Sequence, residues 1–163
     1  MIVMNQTTLK NIRTYLNSAG IVFREVEHEP TRTSEESAAA RGEALGIGAK
    51  ALLLKTDKVF RLFVLPADRK LDSAAIRHYF GAGKLRFATV DELNELTGLV
   101  PGAVPPFGKP ILPFDLYADE AVGVVTDRVA FNAGSLSHSI IMTASDWVAI
   151  AAPKRFRFTK LPI

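Results

Sequence analysis

The chain contains no cysteine among its 163 residues. Disulfides, thiolate zinc sites and a cysteine nucleophile are therefore excluded. Histidine is scarce as well: His28, His78 and His138 stand far apart in the sequence, and no His/Asp/Glu cluster has metal-ligand spacing. No Walker-type glycine loop and no Gly-x-Ser-x-Gly elbow occurs, which leaves a P-loop nucleotidase or a triad hydrolase without support. No apolar run approaches the ~18 residues that a membrane span requires. Residues 1–10 are too short and too polar for a secretory signal. Internal repeats, low-complexity tracts and dividing linkers are also missing. The expectation is a cytoplasmic protein with no metal, no cofactor and no membrane partner.

What is present suits one globular domain over residues 1–163. Hydrophobic residues make up 48% and charged residues 23%, enough apolar side chains for a sizeable core and too many for general disorder. The net charge of +3 and pI near 9.3 permit an anionic partner such as RNA. They suit an ordinary, slightly basic surface equally well.

Periodicity and caps divide the chain into elements. Thr7 or Thr8 caps a helix to Ser18 with Leu9, Ile12 and Leu16 on one face, stopped by Gly20. Residues 21–26 read as a strand. Thr33 and Glu36 have capping-box spacing, and the alanine-rich stretch 34–45 reads as a helix ended by Gly46. Residues 49–55 and 59–65 read as two central strands of a hairpin, apolar on both faces. Asp72 caps a helix through Phe80 with Ala75, Ile76 and Tyr79 inward. A strand over 84–88 precedes a second capping box, Thr89 and Glu92. Residues 99–113 carry five prolines and two glycines, which exclude helix and central strand. Strands resume over 112–117, 122–126, 128–132 and 137–142, and Ser145 caps a last helix. The fold class is α+β, or irregular α/β, with a mixed, curved sheet and helices packed around it.

Three places can carry chemistry. Lys50 shares a strand face with Leu52 and Leu54. A lysine on the apolar face of a central strand costs free energy unless its ammonium reaches an anion or a cleft; alternatively its stem snorkels to solvent from the strand's start. Residues 98–108 form a loop stiffened by Pro101, Pro105 and Pro106, with Gly102 and Gly108 allowing unusual backbone angles. Such a loop can aim N–H groups at an oxyanion, or simply turn the chain. Residues 131–139 place Gly134, Ser135 and His138 between two strands, as a pocket wall or a plain hairpin.

In this order the pieces resemble the YbaK/prolyl-tRNA-editing (ProX) family of aminoacyl-tRNA deacylases, over about residues 20–149. The resemblance runs through Pro30-Thr31-Arg32-Thr33-Ser34-Glu35-Glu36, then Gly46-Ile47-Gly48-Ala49-Lys50, then Leu65-Pro66 to Asp72. It continues through Gly102-Ala103-Val104-Pro105-Pro106-Phe107-Gly108, the most specific piece, Asp119-Glu120, and Ala133-Gly134. It implies a sheet curled into a partial barrel, and hydrolysis of the ester in mischarged tRNA by a free-standing protein. The partner would be the acceptor end of aminoacyl-tRNA, and a synthetase is a further partner candidate. The family lysine falls on Lys50, and the family's loop amides fall on Gly102 and Ala103. The expected substrate-binding set is Thr33, Phe63, Pro105, Pro106, Phe107, Gly108, Asp119, Gly134, Ser135 and His138, with Thr33 also a helix cap. Two departures are visible: many members have two glycines at Gly102-Ala103, and several have a basic turn at 135–138.

The chain offers no obvious protein nucleophile, so water or the neighbouring ribose hydroxyl is considered for attack. Lys50 would hold the terminal phosphate, ribose or carbonyl region, and the loop amides would stabilise the oxyanion. The runner-up is a non-catalytic module that binds an aminoacyl or tRNA group. A third reading is a general RNA-binding protein, which predicts steep salt dependence and indifference to the acyl group. Residues 155–160, alternately basic and aromatic, suit a contact with the acceptor stem of the tRNA substrate. The same residues also suit an edge strand.

Overall fold

The computed structural model describes residues 7–162. The sequence expectation for residues 1–10 therefore falls partly on residues 1–6, outside the described residues. Helix α1 (Thr7–Ser18) buries Thr8, Leu9, Ile12 and Leu16 on its predicted face. It is followed by β1 (Arg24–Glu27). Helix α2 (Ser34–Arg41) starts where the Thr33 side chain accepts from the Glu36 amide. It ends at Gly42, whose φ of 70° makes a left-handed cap, earlier than the expected Gly46. A 3-10 turn, Leu45–Ile47, occupies the rest of that stretch.

The hairpin β2 (Ala49–Thr56) and β3 (Val59–Pro66) is antiparallel, with Lys50 opposite Leu65 and Leu52 opposite Phe63. The short β4 (Lys70–Leu71), α3 (Ser73–Phe80), β5 (Leu85–Phe87) and α4 (Val90–Thr97) follow. Then come β6 (Leu116–Asp119), β7 (Val129–Asn132), β8 (His138–Met142), α5 (Ala144–Ala151), β9 (Lys154–Phe156) and β10 (Thr159–Lys160). The described strands form a five-stranded sheet β5-β2-β3-β6-β9, a three-stranded sheet β1-β8-β7 and the pair β10-β4. The larger sheet is mixed, since β6 runs parallel to β3 and to β9. One parallel bridge, Gly48 to Ala130, connects it to the smaller sheet. The architecture is α+β, and the strands do not close into a barrel.

Side-chain alternation along β3 explains its unbroken apolar run. Leu62 and Val64 join the larger core with α1, Phe107, Phe131 and Trp147. Phe63 and Leu65 join a second core with Leu54, Ile76, Tyr117 and Phe158. Several details differ from expectation. Tyr79 is half-exposed because its ring stacks outside this second core, on Phe156 at 3.8 Å between centroids. Residues 122–126 form turns instead of a strand: Gly123 has φ 75°, and a Cβ there would lie 2.5 Å from the Ala144 Cβ, an approach only glycine allows. The last helix is capped by Thr143, while Ser145 donates from its amide and hydroxyl to Asp127.

Phe63 is fully buried, stacked on Tyr117 at 5.4 Å and edge-on to Phe158 at 5.5 Å. Phe63→Ala should therefore cost about 3–5 kcal/mol in denaturant unfolding. At the start of α4 the Thr89–Glu92 capping box is complete, and Arg86 donates to Glu92 at 2.7 and 2.9 Å. The Arg86 hydrogen bond, aided by Thr89, lowers the Glu92 carboxyl to about 2. A depressed carboxyl favours the fold above its ordinary value near 4.5, and the benefit disappears as pH falls towards 2. The melting-temperature gap between wild type and Glu92→Gln should thus narrow across that window.

Candidate functional site

The cleft arises at the start of β2. On one side β2 pairs with β3 along its whole length. On the other side β5 pairs only with Leu54, Lys55 and Thr56. The open edge over Ala49–Leu52 becomes the rim of a cleft of about 640 Å³, which Thr31–Glu35, Ser37, Arg41, Pro101, Gly102, Val104, Asn132 and Leu136 help to line. That volume lies within the ~300–1,000 Å³ typical of small-ligand pockets. Lys50 belongs to the rim; it is exposed, and no described residue pairs with it. Strand alternation groups Lys50 with Leu52 and Leu54, while Ala51 faces the larger core. Lys50 and Ala51 both reach the cleft because it wraps the strand edge. Arg32, Arg41 and Lys50 face one carboxylate, Glu35, so the lining is net positive.

The proline loop contributes a tight turn. Ala103 N–H donates to the Val100 carbonyl at 3.1 Å, and Gly102 between them has φ 88°. Proline followed by a positive-φ glycine is the signature of a type II turn. The Ala103 amide is thus consumed inside the turn, and Ala103 is buried. By contrast, the Gly102 and Val104 amides donate to no acceptor in the described protein, and both residues line the cleft. Chain geometry therefore moves the second available donor from Ala103 to Val104.

Beneath this turn lies a polar chain that the sequence reading did not single out. Asn132 Nδ2 donates to the Gly102 carbonyl at 2.7 Å. Its Oδ1 accepts from Arg41 Nη2 at 3.0 Å and from the Ser139 hydroxyl at 3.1 Å. Arg41 Nε also donates to Ser139 Oγ at 2.9 Å. Arg41 is only 8% exposed. Burial lowers its guanidinium to about 10, against a raising influence from Glu43, so it stays charged at neutral pH. One available signal was its spacing: Ser37 and Arg41 lie four apart on the buried face of α2. Nearby, Thr31 and Ser37 share a hydrogen bond of 2.7 Å, giving the cleft a hydroxyl-rich wall with Thr33 and Ser34.

The fold brings Thr33, Lys50 and Gly102 into one cleft and places the other expected residues elsewhere. Phe63 is sealed in the second core. Pro105, Pro106, Phe107 and Gly108 are buried behind the turn. The Pro106 carbonyl accepts from the Trp147 indole, and Phe107 packs in the larger core. Asp119 is 1% exposed, and its carboxylate accepts from the Phe158 and Ala121 amides; it fastens the C-terminal tail. Gly134, at φ 78°, packs against Thr8 and donates to the Ala103 carbonyl. Ser135 and Ser137 both reach His138 Nδ1, whose Nε2 lies 3.9 Å from Glu27. These are triad residue types without triad geometry: the carboxylate is beyond hydrogen-bond reach, and none of the four lines the cleft. In the tail, Phe158 is fully buried and Phe156 is stacked on Tyr79. Their rings are engaged in packing, and β9 is the edge strand of the larger sheet.

A second depression of about 430 Å³ at the far end of β2 is lined by Lys55, Asp57, Arg77 and residues 83–86. It is basic, but Asp57 takes the Gly83 and Lys84 amides, and Glu92 takes Arg86. It therefore offers no free pair of amide donors on a turn. No described helix is long and apolar enough to cross a membrane.

Comparisons with known proteins place the chain in a family. The family model of the aminoacyl-tRNA editing domain matches residues 28–150. Over 150 residues the chain is 37% identical to the multifunctional Ser/Thr-tRNA deacylase ProXp-y of Escherichia coli strain K12, covering 89% of each chain. It is 30% identical over 108 residues to the proline–tRNA ligase of Bacillus licheniformis, covering 66% of this chain but 19% of that protein. A solved structure of a candidate trans-editing enzyme for prolyl tRNA synthetase superposes with a TM-score of 0.81 at 27% identity, over 94% of this chain and 98% of that one. The chain belongs to the aminoacyl-tRNA editing domain family.

Proposed function

We propose that this protein is an aminoacyl-tRNA deacylase, acting in trans on the ester of a mischarged tRNA. The observation that carries the reading is the convergence of an unpartnered ammonium, Lys50, and two unpaired amides, Gly102 and Val104, on one cleft. An ester hydrolase needs a place for the developing negative charge on the carbonyl oxygen, and preorganised N–H donors supply it. The match to a named deacylase over 89% of both chains supports this reading. A synthetase as docking partner, and residence in the cytoplasm, belong to the same reading.

In this mechanism Lys50 binds the phosphate or ribose of the terminal nucleotide and fixes the ester. Attack by the vicinal ribose hydroxyl would only move the acyl group from one sugar oxygen to the other. Release therefore requires water, which that hydroxyl positions, accepting the water's proton as it passes its own to the departing ribose oxygen. Water's oxygen bonds to the acyl carbon, and the charge on the carbonyl oxygen rests on the Gly102 and Val104 amides. The carbon–ribose oxygen bond then breaks. The products are a free amino acid and a tRNA whose terminal hydroxyls are restored.

The amino-acid side chain sits beside Thr31, Thr33, Ser34 and Ser37. Such a wall favours a side chain that can exchange hydrogen bonds, and so favours serine or threonine over alanine or proline. This agrees with the substrates named for the Escherichia coli relative. A site built for a hydroxyl discriminates more steeply than one built for a methyl group.

Release of labelled amino acid from a panel of charged tRNAs tests the reading. Seryl- or threonyl-tRNA should be hydrolysed faster than alanyl- or prolyl-tRNA. Binding without release would establish the non-catalytic module instead. Lys50→Ala should leave the melting temperature unchanged, since the side chain is exposed and unpaired. It should slow release by about a hundredfold, comparable to losing one oxyanion donor. Wild-type release by this variant would overturn the assigned role.

A further inference from the structure

We propose that Asn132, oriented by Arg41, is the positioning residue of the Gly102 turn and sets the rate of the chemical step. The inference rests on the deacylase reading and extends it to two residues that touch no reacting atom.

The turn carrying the Gly102 amide projects into the cleft, with Pro101 and Gly102 exposed. An exposed turn closed by a single bond, Ala103 N–H to the Val100 carbonyl, has little to keep it still. Two further bonds tether it: Gly134 N–H to the Ala103 carbonyl at 2.9 Å, and Asn132 Nδ2 to the Gly102 carbonyl at 2.7 Å. The second acts on the peptide next to the Gly102 amide and comes from a strand, β7. Its polarity is enforced. Arginine can only donate, so the Asn132 oxygen must face Arg41, and the Asn132 amide must face a carbonyl that can only accept. Arg41 is fixed in turn by its second bond, to Ser139, which also meets His28 Nε2 at 2.9 Å. A rigid column thus runs from the buried end of α2 to the exposed turn. Displacements of about 1 Å at such a site can cost a hundredfold in rate.

Asn132→Asp separates positioning from mere support. The carboxylate still accepts from Arg41 and Ser139, so the column's base is kept. Towards Gly102, however, acceptor meets acceptor and the turn is pushed away. Expected are a melting temperature no lower than wild type and a kcat for seryl- or threonyl-tRNA at saturating substrate reduced about tenfold or more, whatever the new carboxylate on the cleft wall does to KM. Should Asn132→Asp fail to fold, Arg41→Lys carries the same test: it keeps the charge, loses the two-point fork, and must lower kcat without raising KM. A wild-type kcat in the folded variant overturns the inference. If wild-type protein releases amino acid from no charged tRNA, the deacylase reading falls and this inference with it. An active wild type beside an equally active Asn132→Asp sinks the inference alone.

Discussion

Strand β2 is paired throughout on one flank and over only three residues on the other, and the cleft depends on that inequality. A full-length β5 would cover the backbone of residues 49–52 and close the rim. Instead the edge meets the end of α2, the Gly102 turn and, through the Gly48–Ala130 bridge, the smaller sheet. Unpaired strand edges invite association with other chains unless something guards them. Here the guards are two exposed cations of the cleft lining, Lys50 and Arg32.

Much of this was legible in the sequence because local signals agreed with tertiary ones. Thr33, Asp72 and Thr89 cap helices as their spacing predicts, and the apolar runs of β2 and β3 reflect cores on both faces of one sheet. Lys50 was legible for a sharper reason: a cation in such a run needs an outlet. The Pro101–Gly102 turn was legible as rigid, but which amide it leaves free depends on hydrogen bonding that composition does not record. Ala103 closes the turn, so its neighbours on either side are the donors left over.

The misplacements have a common cause. Phe63, Phe107 and Asp119 lie within the span that the family model matches, yet they serve the scaffold: two core rings and a carboxylate that satisfies two amides. Similarity to a family cannot separate residues kept for packing from those kept for chemistry; burial can. Residues 122–126 and the tail err for a different reason. Exposed Val124 and Val125 imitate a strand by propensity, whereas the approach of Gly123 to Ala144 bends the chain away. The aromatics of the tail imitate a base-stacking motif but are needed to complete the second core, beneath Asp119 and against Tyr79.

Arg41 and Asn132 escaped notice because each is unremarkable in isolation, an arginine ending a helix and an asparagine ending a strand. Their meaning depends on α2 and β7 meeting. The choice of arginine is itself physically constrained. Burial lowers its guanidinium from the ordinary arginine value to about 10, which still leaves it fully charged near neutrality. A lysine starts lower, near 10.4, so the same desolvation would leave its charge a smaller margin. It would also offer a point charge in place of a fork that reaches Ser139 and Asn132 together. At the rim the demands reverse. Lys50 is exposed, and its flexible stem suits the proposed role of following a phosphate or ribose as substrate enters. On the proposed reading the two cation types serve opposite purposes: the immobile one keeps a backbone turn in place, and the mobile one meets the ligand.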